Sequence, residues 1–245
     1  MHLLLLNANT SVAMTERLVT AARGIARPGT RISGATGRFG AEVIASRSAY
    51  AIAGHAALDA YAEHGGAADA VVLACFGDPG LQALQEVADV PVIGMAEAGC
   101  RRAAQMALRF SIVTGGAAWK PMLREYADMI GIGPQLASVR TLASNGGQIA
   151  ADPAGAEAGI LAACQAAIKE DGAELVVLGG AGMVGMVERV ASRLPVPVID
   201  GLTPAIQSAE AAFDARGGIK TNARPLAMTT AGLSPALTDL LAREL

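Results

Sequence analysis

The sequence predicts an α/β fold of two similar lobes, each a mainly parallel sheet flanked by helices. Three observations carry that prediction: short apolar runs alternate with longer helical patterns, the runs are almost free of polar residues (Ser111 apart), and three of them recur in order at nearly one spacing. Runs without polar interruption suit strands buried on both faces, as parallel sheets covered by helices require.

Taken along the chain, the runs are Leu3–Leu6, Ala70–Ala74, Val90–Ile93, Phe110–Val113, Leu175–Leu178 and Val196–Ile199. Thr10 or Ser11 is placed to cap a helix through Met14–Ile25. Asp78-Pro79 sets an acid before a proline at a first helical position and leads into a helix over Gly80–Ala88. Ser144-Asn145-Gly146-Gly147 and Arg216-Gly217-Gly218 read as loops, and no linker rich in Pro, Gly or Ser separates domains.

The repeat is the most informative feature. Ala70–Cys75 aligns with Leu175–Gly180 at an offset of 105, Pro91–Gly94 with Pro197–Asp200 at 106, and Leu3–Asn7 with Phe110–Thr114 at 107. One such match between buried strands carries nothing, whereas three in the same order predict two lobes of one topology.

Composition bounds the function. The 245 residues are 52% hydrophobic but only 3% aromatic, so Ala, Val, Leu and Ile build the core. A net charge of −3 with a pI near 5.6 implies no basic face, which argues against nucleic acid or an anionic membrane as partner. Cys75, Cys100 and Cys164 are too few and too irregular for a disulfide framework, and His2, His55 and His64 have no metal-ligand spacing, so no zinc site is expected. Met1–Leu6 lacks a cationic start and stops at Asn7, so it reads as a first strand rather than an export signal. No uncharged apolar stretch approaches 18 residues. A cytoplasmic protein is the expectation.

In open α/β sheets ligands bind beyond the carboxyl ends of the strands. The residues there are Asn7 and Asn9, Cys75 with Phe76, Gly77 and Asp78, Thr114 with Gly115 and Gly116, and Gly180 with Ala181 and Gly182. If the lobes face each other, these four loops converge on one cleft. Its Asn and Thr side chains and glycine amides would then favour a carboxylate, enolate or imide oxygen. Cys75 ends a strand three residues before the Asp78-Pro79 helix start, whose positive end is expected to lower the thiol pKa and suit it to proton transfer or nucleophilic attack. Cys100 and Cys164 sit in Ala-rich helical patterns and read as buried apolar groups. Asp78 reads as a helix cap and His55 as structural. Asp200, Glu97 and, more weakly, Glu42 are candidate cleft acids, and Trp119 and Phe39 candidate pocket walls or core.

The runs Asn7-Ala8-Asn9-Thr10-Ser11, Ala74-Cys75-Phe76-Gly77-Asp78-Pro79-Gly80-Leu81, Arg109–Thr114 and Gly179-Gly180-Ala181-Gly182-Met183 together resemble the hydantoin racemase branch of the aspartate/glutamate racemase superfamily. The resemblance spans residue 2 to about 210, and the Cys75 run is its most specific part. It implies two pseudo-symmetric α/β lobes, no cofactor, a homo-oligomer, and two cysteines facing each other across a small-molecule substrate. One would remove a proton beside a carbonyl and the other return it on the opposite face. It also implies that the chain's end rejoins the first lobe, giving lobes of 1–98 plus 208–245 and of 99–207.

One departure stands out. Gly180 occupies the place of the second cysteine, by both the motif and the repeat, and glycine transfers no proton. The sequence thus points to a cofactor-independent isomerase acting on a hydantoin, allantoin or related carbonyl compound, with Cys75 as base. A single-cysteine lyase or decarboxylase, a covalent cis-trans isomerase and a non-catalytic binding descendant are the alternatives.

Overall fold

In the computed structural model, residues 1–216 and 227–242 are described. Gly217 and Gly218 of the expected loop, and residues 217–226 and 243–245 of the expected returning tail, lie outside them. Strands β1 (His2–Asn7), β2 (Arg31–Thr36), β3 (Ala70–Leu73) and β4 (Val92–Gly94) form one parallel sheet in the order β2-β1-β3-β4. Strands β5 (Phe110–Gly115), β6 (Leu136–Leu142), β7 (Leu175–Gly179) and β8 (Val198–Asp200) form a second in the order β6-β5-β7-β8. The two orders are the same, so the chain is two pseudo-symmetric α/β halves.

The helices are α1 (Val12–Ile25), α2 (Arg47–His64), α3 (Leu81–Val87), α4 (Met95–Met106), α5 (Trp119–Met129), α6 (Gly146–Ala151), α7 (Pro153–Asp171), α8 (Val187–Val190), α9 (Leu202–Arg216) and α10 (Pro235–Leu241). Central strands β3 and β7 are buried along their whole length, which is why they read as continuous apolar runs. The structure adds two strands that the runs do not reveal. Both β2 and β6 are sheet edges, and their partly exposed residues include Arg31, Ser33, Arg140 and Thr141, so no apolar run marks them.

Ser11 caps α1, its hydroxyl accepting from the Met14 amide. The Asp78-Pro79 expectation is corrected. Helix α3 starts at Leu81 behind Gly80, which sits in the left-handed region, and the Asp78 carboxylate instead accepts from the Ala96 and Glu97 amides that open α4. The loop expected at 144–147 ends at Asn145, which caps α6 in a reciprocal box with Gln148. Helix α9 packs against α4, α1, β3 and β4, and α10 against α2. Among the described residues no helix is long and apolar enough to cross a membrane.

Candidate active site

Both sheets end their strands on one cavity of about 620 Å³. In each sheet the chain leaves the first strand toward one edge and returns on its other side, so the crevice opens between β1 and β3 and, in the second half, between β5 and β7. Asn9 follows β1, Cys75 follows β3, Thr114 and Gly115 end β5, and Gly180 follows β7; all line the cavity.

The Asn7-Ala8-Asn9 turn divides its work. Asn7 is buried and its amide donates to Asn9 Oδ1 at 2.8 Å, to Thr15 Oγ1 at 3.0 Å and to the Ser11 carbonyl at 3.2 Å. Asn9 Oδ1 also accepts from the Ser11 amide at 2.9 Å. Asn7 thereby fixes Asn9, whose oxygen is used up within the turn, leaving its amide nitrogen for a ligand.

Cys75 is 8% exposed, and that exposure opens on the cavity. Burial pushes its thiol up to about 12, and the Asp78 charge pushes the same way. This corrects the expected lowering: α3 begins six residues beyond Cys75, and Asp78 brings a negative charge beside the thiol. Asp78 is itself buried, with its own carboxyl raised to about 7 by burial against the pull of the Tyr126 hydroxyl (2.5 Å) and the two α4 amides. Cys100 and Cys164 are fully buried and off the cavity.

The lobes meet beside the thiol. A side-chain atom on Gly179 would come within 2.5 Å of Phe76 Cε1, and one on Gly201 within 3.0 Å of Phe76 Cε2, so the Phe76 ring lies on bare backbone of the second half. Gly180 has φ +124° and ψ 146°, a conformation almost confined to glycine. Thr114 is 4% exposed, and its Oγ1 has no hydrogen-bond partner among the described residues. A buried hydroxyl left so costs about 1–3 kcal/mol unless something bound satisfies it.

Of the predicted wall residues, the structure gathers Asn9, Cys75, Phe76, Thr114, Gly115, Gly180, Ala181 and Gly182 at the cavity, with Trp119 and Glu42. Phe39 and Gly77 are elsewhere. The Phe39 ring stacks edge-on against His55, with centroids 4.9 Å apart, and Gly77 turns toward Trp119 while its carbonyl accepts from the Tyr50 hydroxyl at 2.7 Å. Nor are Glu97 and Asp200 cleft acids: Glu97 pairs with Arg101, and Asp200 accepts from the amide and hydroxyl of Thr203.

Sequence reasoning missed Arg17, the 42–45 loop beyond Glu42, and Asn145–Gln148. Arg17 on α1 donates to the Ala150 carbonyl at 3.0 Å and the Val184 carbonyl at 2.8 Å, tying the first half to the second. The loop is pinned by the Trp119 indole donating to the Ile44 carbonyl at 3.0 Å. An Asn145-x-x-Gln148 capping pattern was there to be read; nothing local to Arg17 marks it. Among the described residues no group of three His, Cys, Asp or Glu is placed to hold a metal.

Comparisons with known proteins place the chain's family and fold. The family model described as Asp/Glu/Hydantoin racemase matches residues 3–209. A hydantoin racemase of Paenarthrobacter aurescens is 38% identical over 214 residues, covering 86% of this chain and 90% of that protein. The crystal structure of allantoin racemase from Pseudomonas fluorescens superposes with a TM-score of 0.89 at 33% identity, covering 95% of this chain and all of that one. Allantoin racemase from Klebsiella pneumoniae does so with a TM-score of 0.87 at 34% identity, covering 98% of both.

Proposed function

The chain belongs to the Asp/Glu/hydantoin racemase family and is by that membership a cofactor-independent racemase or isomerase; from this premise we propose that it inverts the carbon beside a carbonyl in a 5-substituted hydantoin, allantoin or related ureide, with Cys75 as the base. The observation that carries the reading is Cys75 itself, a thiol whose small exposed part faces a cavity enclosed by two sheet ends.

The chemistry follows from that placement. As thiolate, Cys75 takes the α-hydrogen: the C–H bond breaks, an S–H bond forms, and the electron pair moves onto the carbonyl oxygen. Burial that makes the thiolate costly also makes it a strong base for a weak carbon acid. The free amide nitrogen of Asn9 and the amides of Ala181 and Gly182, all at the cavity, supply donors to the developing oxygen charge. Met14, Val43, Ile44 and Trp119 give the same cavity an apolar wall for a 5-substituent.

Gly180 favours a second reading, single-thiol loss of a carboxylate followed by protonation of the enediolate from the Cys75 side, because that reaction needs no second acid. An NMR time course in D₂O over hydantoins, ureides, amino acids and substituted malonates separates the two. The first reading gives α-deuteration with loss of optical rotation on a hydantoin or ureide. The second gives carbon dioxide from a malonate and no racemisation, and that outcome overturns the first.

A further inference from the structure

Proton removal by Cys75 leaves one built feature of the cavity unused. Thr114, the residue before the end of β5, is in register with Gly179 of β7, and its buried hydroxyl is unpartnered among the described residues. Beside it is unfilled room. A first side-chain atom on Gly180 would meet only Thr114 Oγ1, at 3.6 Å, and Met183 Cγ, at 4.0 Å. This room opens on the cavity from the second lobe, whereas Cys75 opens on it from the first. A spot that is roomy, bordered by the Thr114 hydroxyl and open to the substrate site takes a water whose other partners are the substrate and the cavity's solvent, and an oxygen there needs to move only slightly to reach hydrogen-bond distance of Thr114.

We propose that Thr114 is a positioning residue that holds a water molecule over Gly180, and that this water gives the proton to the substrate face turned away from Cys75. The inference rests on Cys75 being the base. The enolate electron pair returns to the α-carbon as that carbon takes a proton from the water; an O–H bond breaks, a C–H bond forms on the new face, and hydroxide remains beside the Thr114 hydroxyl. The hydroxide then recovers the proton carried by the Cys75 thiol, directly or through solvent, which restores water and thiolate with nothing left over. Glycine at 180 keeps the space clear for the water.

The test compares wild type, Thr114→Val and Thr114→Ser on each enantiomer of a 5-substituted hydantoin and of allantoin in D₂O. NMR reads α-deuteration and chiral chromatography reads inversion. Valine keeps the shape of Thr114 and removes the hydroxyl. It should cut inversion by about tenfold or more. On the enantiomer whose α-hydrogen faces Cys75 the thiol continues to return deuterium to its own face, so the ratio of deuteration to inversion rises, whereas on the other enantiomer both rates fall together. Serine should restore the wild-type ratio. Gly180→Ala, which sets a methyl group in the same space, should raise the ratio independently of any change at Thr114. Equal loss of both rates in Thr114→Val on both enantiomers, no change in either rate, or a ratio that serine fails to restore overturns the proposal. Wild-type protein that deuterates none of these compounds overturns the functional reading itself, and this inference with it; deuteration with an unmoved ratio overturns the water alone.

Discussion

The Phe76 ring lies against the backbone of Gly179, so the residue after the thiol in one lobe touches the residue before Gly180 in the other. A Cβ at Gly179 would stand 2.5 Å from Phe76 Cε1, closer than packed carbons tolerate. This contact sets how near the two strand ends approach, and therefore the width of the cavity between Cys75 and Gly180.

Gly179→Ala should therefore push the lobes apart. We expect a loss of about 1–3 kcal/mol in stability, as for other overpacked sites, together with a fall in turnover. Phe76→Leu should recover part of the stability when combined with it, because the shorter side chain frees the space the methyl needs. A double-mutant cycle by thermal melts checks this, and additive effects of the two changes would show that the contact does not limit packing.

Gly180→Ala should be destabilising for a different reason. It has open space at its Cβ but φ +124°, so the cost is backbone strain of about 1–3 kcal/mol rather than a clash. Gly24→Ala is the opposite control: Gly24 is exposed in α1 with nothing within 4 Å of the added carbon, and the change should stabilise by about 0.5–1 kcal/mol. Melting temperatures that move the same way in both variants would contradict the backbone assignment at 180.

The raised thiol gives a pH signature. A base whose pKa is pushed up to about 12 is deprotonated in a fraction that grows about tenfold per pH unit below that value. kcat/KM should accordingly climb through the neutral and mildly alkaline range without levelling. Asp78→Asn removes the charge that adds to the rise, so its profile should shift to lower pH. A wild-type plateau near neutrality would show that the thiol is lowered in the working enzyme.

Much of this was legible in the sequence, and the reasons differ by element. Strands β3 and β7 announced themselves because burial on both faces leaves no room for polar residues, and their likeness exposed the two-lobe plan. Edge strands β2 and β6 did not, since exposed positions such as Arg31 and Arg140 break the apolar pattern. Asp78 was read as the cap of the helix that follows it, but a short acidic side chain can serve any helix start that folding brings near, and here it serves α4. Cys75 and Gly180 stood out through the repeat. Arg17 and the 42–45 loop reach the cavity only because the lobes dock, a relationship no local pattern encodes, and Phe39 missed the cavity because His55 on α2 offers its ring a partner.

The central claim is that the Cys75 thiol removes the α-hydrogen, and α-deuteration in D₂O of the enantiomer that Thr114→Val still deuterates reads that removal and the exchange that follows it. On a hydantoin or ureide that the wild type deuterates, Cys75→Ala should lose about 10²–10⁴-fold in rate, while Cys100→Ala and Cys164→Ala, neither of which lines the cavity, should deuterate at near wild-type rates per folded molecule. A Cys75→Ala protein that is folded and deuterates its substrate within a few-fold of wild type would contradict the account.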